Sequence, residues 1–213
     1  MNFSPDEKDI FYKLIAARRD VRSGFLPDNI PSETLHKILQ AAHSAPSVGF
    51  LQPWNFILIN SLETKQKIKA AFREAKTNEE KMFSGKRHEL YSELKLEGIM
   101  EAPLNICVTC DMNKDASNQL GRSAQENMDV YSTVCAIQNM WLAARVEGIG
   151  MGWVSIIDQQ EIRESLKIPD NHQIIAYLCL GFVSDFKESP ELETKGWNER
   201  LDLCDLIKYE KWE

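Results

Sequence analysis

The sequence predicts an α+β fold. Helical stretches with apolar residues at helical spacing are interleaved with about four or five short apolar strands. Capping residues and prolines mark where those helices start and stop. The chain has 213 residues, 43% of them apolar and 27% charged, enough for one domain with a sizeable core. Residues 1–213 are expected to form that single domain.

Ser4-Pro5-Asp6-Glu7 is a helix start, with a serine cap, proline at the first helical position and glutamate closing a capping box. Ile10, Phe11, Leu14 and Ile15 recur at helical spacing, so this helix runs up to Arg18. A second helix enters through Pro31-Ser32 and carries Leu35, Ile38, Leu39 and Ala42. It ends near Ser44-Ala45-Pro46, because a residue before proline avoids the helical region. Asn55 to Asn60 reads as a buried strand, and Ser61 to Glu80 as a lysine-rich helix. Residues 82–98 are helical in composition but weakly amphipathic and are expected to form a mobile cover. Leu104 to Cys110 is a second strand. Asn127 to Glu147 is the longest apolar helix, with a stripe of Val130, Val134, Ile137 and Trp141. Met151 to Ile156 and Gln173 to Phe182 are two further strands, separated by a helix capped by Asp158. The extension 184–213 carries apolar residues such as Trp197, Leu206 and Trp212 with little periodicity. A tail of that kind needs another surface to pack on, so a homodimer with exchanged termini is expected.

A net charge of −7 argues against nucleic-acid binding, which needs a basic footprint. No apolar run approaches the ~18 residues that span a bilayer, so no membrane association is expected. The first residues lack the charged and apolar regions of a signal peptide. Five scattered cysteines, an odd number, suit a reducing cytoplasm better than a disulfide framework.

Arg18-Arg19-Asp20-Val21-Arg22 crowds three arginines around one carboxylate. Arginine forks suit phosphate and other oxyanions. Asp20 opposes an anion, so it either pairs with an arginine or does separate chemical work, and the residues alone leave both readings open. Cys107-Val-Thr-Cys110 has redox or metal spacing, but residues three apart on a strand point to opposite faces and no partner pair completes a zinc site. No metal is expected. Gly148-Ile-Gly150-Met-Gly152 sits between a helix and a strand, the reverse of a dinucleotide fingerprint, and reads as a tight turn. The four histidines share no spacing. The segment from Ala45 to Phe56 combines prolines, glycine and hydrogen-bonding side chains. It reads equally as an ordered connection or as a rigid loop that grips a planar ligand.

Arg18-Arg19-x-x-Arg22, followed by Ala45-Pro-Ser-x-x-x-x-Gln52-Pro-Trp-x-Phe56, resembles the nitroreductase family of FMN enzymes. The resemblance spans nearly the whole chain. It implies a mostly antiparallel central sheet flanked by helices, a dimer with exchanged terminal extensions, and FMN at the dimer interface. Asp20 and Phe50 depart from the common pattern. Together with Phe83-Ser-Gly-x-Arg87, Leu94-Lys-Leu-Glu-Gly-Ile99, Met128-Asp-x-Tyr-Ser-Thr-Val-Cys-Ala136 and Gly152-Trp-Val-Ser-Ile156, they are similar to the flavin-fragmenting branch of that family.

That resemblance implies that reduced FMN is a substrate, broken with O2 into 5,6-dimethylbenzimidazole, the lower ligand of vitamin B12, and erythrose 4-phosphate. A separate flavin reductase would supply the reduced FMN. The residues implied in FMN binding are Arg18, Arg19, Asp20, Val21, Arg22, Pro46, Ser47, Gly49, Arg87, Leu96, Ser155 and Arg200. Asp20 and Ser155 are the implied catalytic residues, Asp20 as base and Ser155 as a hold on the flavin edge or a proton relay. The competing readings are an NAD(P)H-dependent nitroreductase or flavin reductase, a halotyrosine dehalogenase, and a non-catalytic flavin-binding protein. The dehalogenase reading lacks the Glu-x-x-x-Tyr of its cover in residues 79–98.

Overall fold

The computed structural model describes residues 2–115, 117 and 120–212. The final residue of the 184–213 extension, Glu213, therefore lies outside it. Helix α1 (Pro5–Ala17) begins with the expected capping box: Ser4 Oγ accepts from Glu7 N–H, and the Glu7 carboxylate accepts from Ser4 N–H. Then follow α2 (Ser32–His43), β1 (Trp54–Ile59), α3 (Leu62–Glu80) and α4 (Gly85–Glu93). The order continues with β2 (Leu104–Asp111), α5 (Met128–Val146), β3 (Ile149–Val154), α6 (Gln159–Leu166) and β4 (His172–Phe182). Two short helices, α7 (Glu191–Thr194) and α8 (Leu203–Leu206), lie in the C-terminal extension.

The four strands form one antiparallel sheet in the order β1-β2-β4-β3. Helices cover both faces. On one side Ile106, Val108, Leu178 and Leu180 pack against Ile38 and Ala42 of α2 and Ala136, Ile137 and Met140 of α5. On the other, Cys107, Tyr177 and Cys179 pack against Ile68 and Phe72 of α3 and Ile162 of α6. Alternation along β2 places Cys107 in the second core, while Cys110 engages Thr133 of α5 on the opposite face. Both thiols are buried and free. Gly148 makes the helix-to-strand turn at φ +73°, as its position between α5 and β3 predicts.

Four details differ from the sequence reading. The strand β1 is an edge strand with a single neighbour, β2, so Asn55 and Leu58 stay exposed. The stripe expected on α5 is only part of its core face: Ile137 is buried and Trp141 packs at the edge of the core. Ser132, Thr133, Ala136, Ile137, Met140 and Ala144 are buried, because small side chains let the helix lie close to the sheet, and Val134 is exposed. In α1 no residue is buried, and Ile10, Phe11, Tyr12 and Ile15 face outward. The helix within 82–98 is limited to α4. Beyond it Leu94, Glu97, Gly98 and Ile99 turn inward and join the body of the fold.

Glu97 makes that inward turn possible. Its carboxylate pairs with Lys69 of α3 and accepts from Ile99 N–H at 2.7 Å, with Lys95 3.6 Å away. Burial alone would raise its pKa, but the Lys69 bond, the Ile99 N–H and the two lysine charges outweigh burial and hold the carboxyl below its ordinary range. A carboxyl depressed in the folded state binds fewer protons there than in the unfolded chain. Its contribution is therefore complete above the ordinary value of about 4.3 and is lost as pH falls through the folded value. Substituting Glu97→Gln should lower stability at neutral pH by about 1.5–3 kcal/mol and flatten the acid limb of the stability profile. Urea denaturation from pH 7 to pH 3 checks this; an acid limb as steep as wild type would refute the assignment.

Candidate functional site

The arginine segment starts where α1 stops. Arg18 leaves the helix with extended backbone, and the carbonyls freed at that end are taken by cations and an indole. Arg19 Nη1 donates to Ala16 O at 2.6 Å and Arg18 O at 2.7 Å, Arg145 Nε to Ala17 O at 3.2 Å, and Trp141 Nε1 to Arg19 O at 3.1 Å. Positive groups at a helix C-terminus complement its dipole. The chain then lies against β3: Asp20 forms a parallel bridge with Met151, and Val21 N–H donates to Met151 O at 3.1 Å.

This approach requires glycine in β3. A Cβ on Gly152 would stand 2.0 Å from Val21 O, and one on Gly150 would meet the Val183 and Val21 side chains at 2.6 Å and 3.0 Å. The Gly-x-Gly-x-Gly run is thus a seat for residues 20–21 as well as a turn.

On that seat Asp20 is fixed twice. Its Oδ1 accepts from Trp153 N–H at 3.0 Å and its Oδ2 from Arg22 Nη2 at 2.5 Å. The Asp20 side chain remains 27% exposed and that of Arg22 14%. Carboxylate oxygens have lone pairs beyond those two bonds, so the aspartate is held in place and still open on one side.

The three arginines divide their duties. Arg22 is committed to Asp20. Arg19 closes the end of α1 and donates to Glu188 O of the extension, while its buried Nε–H finds no acceptor among the described residues. Arg18 lies 4.7 Å over the Trp141 ring and makes no side-chain hydrogen bond or ion pair among the described residues. Burial, together with the nearby Arg19 and Arg200 charges and against Asp20, pulls its pKa down from the ordinary arginine value. A half-buried cation without a carboxylate, beside an orphaned donor, fits a ligand that carries a phosphate.

The loop between α2 and β1 is held from beneath. Val48 N–H donates to Ser132 Oγ at 3.0 Å, and Ser132 Oγ donates in turn to Met128 O at 2.6 Å. Ser47 Oγ accepts from Gln52 N–H at 3.1 Å, and Lys114 donates to Gln52 O at 2.8 Å. Gly49, Phe50 and Gln52 all have positive φ, and the Phe50 ring is 84% exposed. Left-handed backbone at two non-glycine residues is strain of the kind found at ligand-gripping loops. Pro46 is exposed, and Ser47 and Gly49 are half-buried on the same loop. His43 Nδ1 accepts from Trp54 Nε1 at 3.2 Å, a structural use of that histidine.

Ser155 lies exposed just beyond β3, two residues after the Trp153 amide that holds Asp20. Leu96 packs on the second core, and the chain around it touches the arginine segment: a Cβ on Gly98 would stand 3.3 Å from Arg22 O. Arg87 of α4 instead engages Trp197. Arg200 is exposed, with its charge acting on Arg18. Sequence reasoning gave no role to Ser132 or Glu97, although both fall inside motifs that carried the resemblance. Their signal was a polar residue at a buried position, legible only once burial is known. Among the described residues no group of three or more His, Cys, Asp or Glu could hold a metal ion, and no helix is long and apolar enough to cross a membrane.

A sequence model described as the nitroreductase family matches residues 15–182. The chain is 38% identical over 198 residues to the 5,6-dimethylbenzimidazole synthase of Rhodospirillum rubrum, covering 93% of each chain. It is 34% identical to the 5,6-dimethylbenzimidazole synthase of Rhodobacter capsulatus, covering 94% of this chain and 97% of that one. Among solved structures, oxidized iodotyrosine deiodinase bound to FMN and 3-iodo-L-tyrosine superposes with a TM-score of 0.73 at 21% identity, covering 94% of this chain and 99% of that one. The last comparison speaks to the fold alone.

The seat on β3 can be tested by itself. Gly152→Ala drives a methyl into the Val21 backbone and should cost about 2–3 kcal/mol. Gly148→Ala meets no atom within 4 Å and should cost about 1 kcal/mol, for its positive φ alone. Paired urea melts check this contrast; equal losses would mean that residues 20–21 do not depend on the glycine.

Proposed function

The chain belongs to the nitroreductase family, and from that premise we propose that it is an oxidoreductase that consumes reduced FMN. With O2 it would break the flavin into 5,6-dimethylbenzimidazole and erythrose 4-phosphate. The observation that carries this reading is an anion-ready Arg18 and a fixed carboxylate, Asp20, on one segment. Similarity over 93% of the chain to a relative named 5,6-dimethylbenzimidazole synthase supports it.

Reduced FMN, when bound, supplies both the carbon skeleton and the electrons that oxygen accepts. The chain's own residues bind, orient and move protons. Arg18, with Arg200 nearby, holds the phosphate; a fork on a phosphate gains charge-assisted bonds that water cannot match inside a half-buried site. Arg19 and Val21 shape the backbone beside it, and Arg22 keeps Asp20 aligned. Pro46, Ser47 and Gly49 line the ring on a loop whose conformation is set before the ligand arrives, which lowers the ordering cost of binding. Asp20 takes the proton from ribityl C1′, because it is fixed by two donors and open on its remaining side. Ser155 holds the flavin edge. Arg87 belongs to the cover, α4, which keeps water from the reacting flavin, and Leu96 flanks the site from the body of the fold.

A homodimer completes the site in this reading. The outward Ile10, Phe11 and Ile15 of α1, Tyr131 and Val134 of α5, and Tyr209 and Trp212 of the extension form more exposed apolar surface than a monomer needs. A separate flavin reductase supplies reduced FMN in the cytoplasm.

The test uses apoprotein mixed with FMN, reduced chemically without NAD(P)H and opened to air. Mass spectrometry should find flavin lost and dimethylbenzimidazole formed; quantitative return of intact FMN would overturn the proposal. In the same assay Asp20→Asn keeps the Trp153 contact but cannot accept a proton. It should bind FMN within a few-fold of wild type and form product about 10²–10⁴-fold more slowly. Product formation at the wild-type rate would remove Asp20 from the chemistry.

A further inference from the structure

On its inner side α4 is held to α3 by the Tyr91 ring, with Lys76 Nζ 5.8 Å from its centre, and by His88 Nε2 3.5 Å from the Glu80 carboxylate. Tyr91 is the one buried residue of α4. What fixes its outer side is the C-terminal extension. The Arg87 guanidinium lies 3.6 Å over the Trp197 ring and donates through Nη1 to Trp197 O at 2.6 Å. Phe83 meets the same indole edge-on at 5.4 Å and stacks on Tyr91 at 4.7 Å, with Tyr91 6.1 Å from Trp197. Arg87, Phe83, Tyr91 and Trp197 thus form one aromatic and cationic cluster joining α4 to the extension.

Trp197 is well placed to serve as the fixed member of this cluster. Its N–H donates to Leu192 O at 2.8 Å, closing α7, and Gly196 makes the turn before it at φ +71°. Upstream, Arg19 donates to Glu188 O and Arg145 lies 3.7 Å over Phe186. Downstream, Arg200 is near enough for its charge to act on Arg18. The extension therefore runs as a strap from the arginine segment to the cover and back.

We propose that Trp197 is a positioning residue for the cover, holding Arg87, and through it α4, in place over the flavin site. The latch itself follows from the contacts above; its effect on the reaction rests on the proposed function. A cover that opens lets reduced FMN pass two electrons and two protons to O2, giving intact FMN and hydrogen peroxide. A latched cover suppresses that route by excluding water and premature release.

The experiment has two readouts on FMN-loaded protein. Hydrogen exchange over residues 85–93 should quicken about tenfold in Trp197→Ala, which removes the cation–π contact and the Phe83 and Tyr91 ring contacts, and in Arg87→Met, which removes the cation–π contact and the hydrogen bond to Trp197 O. It should quicken less in Trp197→Phe, which keeps a ring under the cation, and by clearly less than the product of the two single effects in the Trp197→Ala, Arg87→Met double variant, because both lose the same cation–π contact. In air, Trp197→Ala should raise the ratio of peroxide to dimethylbenzimidazole while leaving the KM for reduced FMN unchanged. Wild-type exchange in Trp197→Ala, or additive effects in the double variant, overturns the latch. If wild type forms no dimethylbenzimidazole but the exchange pattern holds, the latch stands and the proposed reaction falls.

Discussion

The contact on which the site depends is the close seating of Asp20 and Val21 against β3. Two backbones more than a hundred residues apart in sequence meet where Gly152 leaves no room for a side chain. That contact orders everything around it. It ends α1 at a defined point and presents the freed carbonyls to Arg19, Arg145 and Trp141. It also sets Asp20 where a β3 amide can hold it. Remove the seat and the arginines lose their common frame, although each could still find a partner in water.

The charge arrangement follows from geometry more than from composition. Five residues carry three cations and one anion, but of those three only Arg18 makes no side-chain hydrogen bond or ion pair among the described residues, lying instead over the Trp141 ring. Arg22 pairs with Asp20, and the Arg19 Nη groups go to helix-end carbonyls and Glu188 O. Holding Arg18 half-buried over Trp141 without a counter-ion costs stability. Proteins accept such costs where a ligand repays them. The strained loop at Phe50 belongs to the same pattern: positive φ and an exposed ring are tolerated because Ser132 and Ser47 pin the loop from below.

Local chemistry made much of the fold legible. The capping box at Ser4, the stop before Pro46, the Asp158 cap and the opposite faces of Cys107 and Cys110 follow from spacing alone, and each is present. Periodicity failed where apolar residues face outward. Ile10 and Phe11 in α1 and Val134 in α5 have helical spacing but do not enter this chain's core, since a helix can pattern for a partner as well as for itself. The arginine cluster was visible in the sequence, but the division of labour within it was not. That division depends on carbonyls and a glycine seat contributed by distant elements. The same holds for Trp197, which sits in an aperiodic extension and gains meaning only from Arg87.

In the proposed function Arg18 is the cation kept for a phosphate. Calorimetric titration of FMN and riboflavin into wild type and Arg18→Gln isolates it, because the two flavins differ in the phosphate alone. Wild type should show a clear preference for FMN that collapses toward equal affinity in Arg18→Gln, with riboflavin binding little changed. A preference for FMN that survives the substitution would contradict it.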